Sequence, residues 1–236
     1  MGSFESIICK NCGKQVMDLE FFLDTPTTCS QCNDPTQEIT TTQAEVDFDR
    51  DALLDKNKVH IDDPWAANNL KKLIVSFLEQ LFDNRYQEIV ILCIGTDRST
   101  GDSLGPLIGN NLNKSISAKV PVFGTLNNPV HATNLKEKLK LIKEKYPNPF
   151  ILAIDAGLGR NSSVGSISVE QGPLKPGSGV NKELPPVGDM HITGLVNIGG
   201  YMEYFVLQST RLSLVFKMAK VISRGINWGL RNLNYI

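Results

Sequence analysis

The sequence has no apolar run long enough to cross a membrane: its longest, such as Ile89 to Ile94, falls far short of the roughly 18 residues that a spanning helix needs. No basic segment followed by an apolar one stands near the start (MGSFESIICKNC), so no secretory signal is expected. A membrane protein and a secreted protein are both disfavoured, and a cytoplasmic location is expected. No internal repeat or low-complexity tract occurs. With 41% hydrophobic and 21% charged residues the composition is globular, neither disordered nor fibrous. A large excess of one charge is also missing, since the net charge of the 236 residues is −1. No part is basic enough to argue for direct nucleic-acid binding.

That small net charge hides an asymmetry. Residues 1–63 hold 5 Lys/Arg against 13 Asp/Glu, and residues 64–236 hold 19 against 12. An acidic leader therefore precedes a mildly basic body. It reads either as a solvated segment or as one steered back over a basic surface. Four of the five cysteines lie in this leader, as Cys9-Lys-Asn-Cys12 and, sixteen residues on, Cys29-Ser-Gln-Cys32. Each C-x2-C pair makes a tight turn that aims two sulfurs at one ion, and tetrahedral zinc takes two such turns. The expectation is a closed, structural zinc site; the alternative is four ordinary buried or disulfide-bonded cysteines. This gives a zinc-ribbon-like unit over 1–38, an acidic linker over 39–58 and the main domain over 59–236. Cys93, inside an apolar run, reads as core.

The main domain alternates strands and helices. Asp62-Asp63-Pro64 starts a helix whose apolar residues, Ala66 to Leu81, follow the helical period. EIVILCIG reads as a buried strand, followed by a polar loop and a helix over about 104–112. KVPVFG is a second strand, 131–146 a helix, and PFILAIDAG a third, near-continuous apolar strand. VGSISVEQG is another strand, 172–190 a long Gly/Pro-rich loop, and 199–224 one long helix. Short apolar strands separated by helices predict a mostly parallel sheet covered on both faces, a three-layer α/β/α architecture. INWGLRNLNYI has little pattern, and an apolar tail there suits self-association.

In such a sheet, ligands bind beyond the carboxyl ends of the strands, where strand order reverses. Two strand ends here carry carboxylates: GTDRSTGDSLGP after the first strand, with Asp97 and Asp102, and Ala-Ile-Asp155-Ala-Gly157 at the end of the third. With strand order 2-1-3 the two loops flank one crevice, and Asp102 faces Asp155. Two close carboxyls do not both ionise easily, so such a pair can hold a proton and activate water. The same pair with an imidazole can hold a divalent metal; His191, read in a loop, and His131, at the start of a helix, are the candidates. The plainer readings are that Asp102 caps a helix, Asp155 forms a turn and His131 is a first-turn polar residue. Gly95 to Gly101 is not a phosphate loop: five residues intervene, Asp102 stands where lysine belongs, and two carboxylates would repel phosphate.

CIGTDRSTGDSLGPLIG, GTLNNPVHATNL, AIDAGLGR, GPLKPGSGVNKELPPVGDMHITG and NIGGYMEYFVLQSTRL together resemble the YyaC family of sporulation proteins, over about residues 59–226. The resemblance implies a spore protease in a sporulating cell or forespore. It also implies a phosphorylase/hydrolase-like fold shared with the spore germination protease and the hydrogenase-maturation endopeptidases. By that resemblance Asp102 (in Asp102-Ser-Leu-Gly105-Pro106) and Asp155 are the catalytic carboxyls of a peptidase acting on a protein or peptide. Thr96, Asp97 and Ser99 line the loop, and Gly157 with neighbouring amides holds the developing oxyanion. The maturation endopeptidases instead imply a second, divalent metal on Asp102, Asp155 and His191. The germination protease is made as a zymogen, which suggests a pro-segment role for the acidic leader. The competing function is a non-catalytic binding or regulatory module on the same fold.

Overall fold

A computed structural model describes residues 57–116, 119–176, 184–200 and 202–236 in full, and residues 6–8 and 15–18 as backbone. The chain divides into two compact units, Met1–Asp49 and Arg50–Ile236. In the first, strand β1 (Ser6–Ile8) pairs antiparallel with β2 (Gln15–Asp18). The four leader cysteines, and with them the expected zinc site, linker and pro-segment, lie outside the described residues.

The second unit contains β3 (Lys58–His60), α1 (Ala66–Leu81), β4 (Glu88–Cys93), α2 (Leu104–Ser115), β5 (Val122–Phe123), α3 (Leu135–Lys145), β6 (Pro149–Gly159), β7 (Ser166–Gln171), β8 (Met190–Ile198), α4 (Glu203–Gln208) and α5 (Leu212–Asn232). Six strands form one sheet in the order β3-β7-β8-β6-β4-β5. The central pairs β5-β4, β4-β6 and β6-β8 are parallel, and β7 pairs antiparallel with both β8 and β3.

The near-continuous apolar strands have a simple cause: both of their faces are covered. Ile89, Ile91 and Cys93 of β4, with Phe150, Leu152 and Ile154 of β6, enter a core with α1, α2 and α5. The alternate residues Val90, Leu92, Ile151 and Ala153 enter a second core with Leu135 and Ile142 of α3. Each such side chain contributes roughly 1.5–3 kcal/mol by its burial. This is the three-layer α/β/α arrangement, with three helices on one face and one on the other. The strand order around β4 is the expected 2-1-3 (β5-β4-β6).

The structure corrects several boundaries. His191, expected in a loop, stands in strand β8, Met190–Ile198. The single helix expected over 199–224 is two, α4 and α5, separated at Ser209 to Arg211. The break is tertiary in origin. Thr210 Oγ1 donates to Val206 O (2.9 Å), and Asn197 Nδ2 of β8 donates to the same Val206 carbonyl and to Thr210 Oγ1. The helix expected from residue 131 begins at Leu135, after a turn closed by Asn134 N–H and Leu135 N–H on His131 O. Lys58–His60, at the expected border of linker and main domain, make edge strand β3. Among the described residues no helix is long and apolar enough to cross a membrane.

Candidate active site

Three chain segments converge at the carboxyl ends of the parallel strands. Ile94 N–H, just past β4, donates to Ile154 O of β6 at 2.7 Å, and Gly95 N–H donates to Val130 O at 2.8 Å. Ile94 and Val130 form a parallel bridge. The chain then folds back on itself: Thr96 N–H donates to Asp102 O (3.1 Å), Ser103 N–H to Ser99 O (3.0 Å), and Ser103 Oγ to Thr100 O (2.6 Å). Gly95 makes this possible. Its φ is +144°, and a Cβ there would collide with the Asp102 carbonyl. Asp102 consequently sits in a single 3-10 turn, Gly101–Ser103, at the end of β4. It does not cap α2: Ser103 holds that position, and no side chain caps the helix.

Asp155 lies on β6 opposite Thr193 of β8, on the same face as Ile151 and Ala153. Here the strands run past α3, and the uncovered face opens into a cavity of about 1140 Å³. Thr96, Ser99, Asp102, His131, Asp155 and Gly157 all line it, so the structure brings together six of the eight candidate residues of the main domain. Gly157 stands at a register shift in the β6-β8 pairing. Asp97 is exposed and does not line the cavity, which corrects its expected role.

His191 is the second correction. It lies on β8 at the level of Ala153, short of the cavity. Its Nδ1 is 2.9 Å from Gly172 O, and its Nε2 is 3.9 Å from Glu170 Oε2 on β7. The ring therefore ties β8 to the β7 end. His131 is the imidazole that lines the cavity, with Nδ1 2.8 Å from Thr133 Oγ1. The metal set Asp102, Asp155 and His191 does not fit: its histidine is engaged elsewhere. No group of three or more His, Cys, Asp or Glu is gathered for a metal among the described residues.

The electrostatics of the two carboxyls are unusual. Asp155 keeps some surface on the cavity but is walled by protein, and that burial pushes its pKa up to about 8; Ala156 N–H, at 2.8 Å, opposes the rise, and the Asp102 charge adds to it. Burial also raises Asp102, and the Ser99 hydroxyl draws it part of the way back. Burial thus favours the protonated form of both carboxyls. Ser99 is itself 7% exposed, and its Oγ is buried without a partner in hydrogen-bond geometry.

The sequence reading missed the rest of the lining. Arg98 and Lys175 bring two cations, and Glu203, Tyr204, Leu207 and Gln208 of α4 form a wall. Arg98 stands inside the loop already singled out. The α4 wall carried no local signal, because the break that sets it off from α5 is tertiary.

Fold and site together define an α/β protein with paired carboxyls in a cavity at the carboxyl ends of its parallel strands. The chain belongs to the family described as "Protein of unknown function (DUF1256)", which matches residues 58–225. It is 51% identical over 172 residues to "Uncharacterized protein YyaC" of Bacillus subtilis (strain 168), covering 73% of this chain and 82% of that protein. Among solved structures it is similar to the [NiFe] hydrogenase maturation protease HycI of Thermococcus kodakarensis KOD1. That similarity has a TM-score of 0.45 at 19% identity, covering 66% of this chain and 99% of that one.

Proposed function

We propose that this protein is a peptidase of sporulating cells that hydrolyses a peptide bond in a protein substrate through Asp102 and Asp155. The observation that supports the reading is the pair itself: two carboxyls from different strand ends line one cavity, and burial raises both. Asp155 enters the reaction protonated and donates a hydrogen bond to the scissile carbonyl. Asp102, ionised, takes a proton from a water molecule as its oxygen attacks the carbonyl carbon. Backbone amides around Gly157 stabilise the oxyanion. The proton on Asp102 passes to the departing amine, and the pair returns to its single-proton state. The cavity walls, with Leu158, Leu195 and Leu207 beside Arg98 and Lys175, suit an extended segment that carries apolar side chains.

The test is cleavage of a denatured bacterial proteome by the full chain, with new termini read by mass spectrometry. Wild type should cut at a consistent set of sites, and Asp102→Asn and Asp155→Asn should both lose at least 100-fold in rate while remaining folded. His191→Ala should keep its turnover, since that ring lies outside the cavity. Absence of cutting by wild type, or cutting retained in Asp155→Asn, overturns the proposal and leaves a binding module on the same fold.

A further inference from the structure

Ser99 is the one cavity-lining side chain among the described residues that is both deeply buried and unpartnered. A buried hydroxyl without a hydrogen bond is unfavourable, by about 1–3 kcal/mol, and the Asp102 carboxyl, whose pKa this hydroxyl already lowers, is the acceptor nearest in the chain. Its position is fixed. The Ser99 carbonyl accepts Ser103 N–H, and Thr96 N–H closes the same turn on the Asp102 carbonyl. Residues three apart in so tight a turn present their side chains on one side, which sets Ser99 beside Asp102.

We infer that Ser99 is a positioning residue whose buried hydroxyl donates a hydrogen bond to the ionised Asp102 carboxylate and holds it oriented across the cavity toward Asp155. The inference rests on the carboxyl pair of the proposed function, and it assigns each member a fixed part. Asp102, with a donor in its own turn, is the base; Asp155, whose one hydrogen bond among the described residues is from Ala156 N–H, keeps the proton. The other charged and titratable groups around the cavity are Arg98 on the same turn, His131 before α3, Lys175 after β7, and Glu203 and Tyr204 on α4. None of them changes when Ser99 is replaced.

The experiment is carbon-13 NMR of the aspartate carboxyls in the full-length protein, titrated as wild type, Ser99→Ala and Ser99→Thr. Asp102→Asn and Asp155→Asn supply the assignments. In Ser99→Ala the Asp102 midpoint should rise by about one pH unit, the worth of a hydrogen bond to a charged group. The Asp155 midpoint should fall, because its neighbour is less ionised. Ser99→Thr, which keeps the hydroxyl, should restore both. Midpoints in Ser99→Ala within about 0.2 pH unit of wild type overturn the inference, and so does a Ser99→Ala chain that fails to fold. The readout does not depend on cleavage. Unmoved midpoints beside an intact peptidase would remove only the role of Ser99; moved midpoints without cutting would remove only the peptidase.

Discussion

Replacing Asp155 with asparagine should make the protein more stable at pH 8 and leave its stability nearly unchanged at pH 4. The carboxyl titrates near 3.8 in the unfolded chain and near 8 in the fold. A raised value means that the native state binds more protons than the unfolded state, so stability is lost as pH rises from 3.8 through 8. Each pH unit in that window costs about 1.4 kcal/mol. Between pH 5 and pH 8, with rounding at the upper end, the loss is about 4 kcal/mol. Asparagine is nearly isosteric and has no charge to desolvate, so the variant omits this slope. The surface that Asp155 keeps on the cavity makes 4 kcal/mol a ceiling, and half of it remains readable. For a unit of this size each kcal/mol moves the melting temperature by about 2–4 °C, so the variant should gain roughly 4–16 °C over wild type at pH 8. Urea unfolding of both proteins, followed through Trp65 and Trp228 at several pH values from 5 to 8, measures the difference directly. If the gap between the two proteins changes by less than about 1 kcal/mol across that range, Asp155 is ionised at neutral pH, and the single-proton description of the pair is wrong.

Two further outcomes are expected. The C-x2-C spacing of the leader should bind one zinc per chain, measured by elemental analysis. The metal should vanish when Cys9, Cys12, Cys29 and Cys32 are all changed to serine; zinc that survives the change refutes the ribbon. Tyr86 OH donates to Asp189 Oδ1 at 3.0 Å, while Asp189 Oδ2 accepts Ile151 N–H at 2.8 Å. Tyr86→Phe should therefore cost about 1–2 kcal/mol and Asp189→Ala more, since the second change also strips the Ile151 amide. Equal urea midpoints for Tyr86→Phe and wild type would refute that assignment.

What could be read from the sequence follows from how each element is buried. Strands β4 and β6 announce themselves because both faces are covered, which leaves runs such as Ile89 to Cys93 nowhere polar. Once those two strands are placed as neighbours, Asp102 and Asp155 fall at adjacent carboxyl ends with no further information. Strand β8 is less legible. Its inner face, Met190, Ile192 and Val196, enters the core, while its outer face carries His191, Thr193, Leu195 and Asn197. Following a Gly/Pro-rich stretch, that half-polar alternation reads as loop, and His191 was carried to the wrong place with it. Edge strand β3 is only three residues long and exists through its pairing with β7, as Lys58↔Ser168 shows. The break between α4 and α5 contains neither proline nor glycine. It depends on the Asn197 side chain, which lies 13 residues from Thr210 in sequence.

The contrast between Asp155 and Asp189 separates a carboxyl that serves the fold from one that does not. Both are half-buried, and both lie on or beside the strands of the same sheet. Asp189 uses both oxygens, taking Tyr86 OH on one and Ile151 N–H on the other, and so joins the segment before β4 to the start of β6. Among the described residues Asp155 accepts only the amide of its immediate neighbour, which joins no other segment. It is destabilised by its own burial and by a second carboxyl in the same cavity. In the Asp102 turn, Ser99 keeps a buried hydroxyl with no partner in hydrogen-bond geometry among the described residues. Asparagine at 155 would remove the cost of burying a carboxyl that can ionise, at no loss of packing. A group that weakens the fold is retained where it does something else, and Asp155 opens onto the cavity that Asp102 and Ser99 also line.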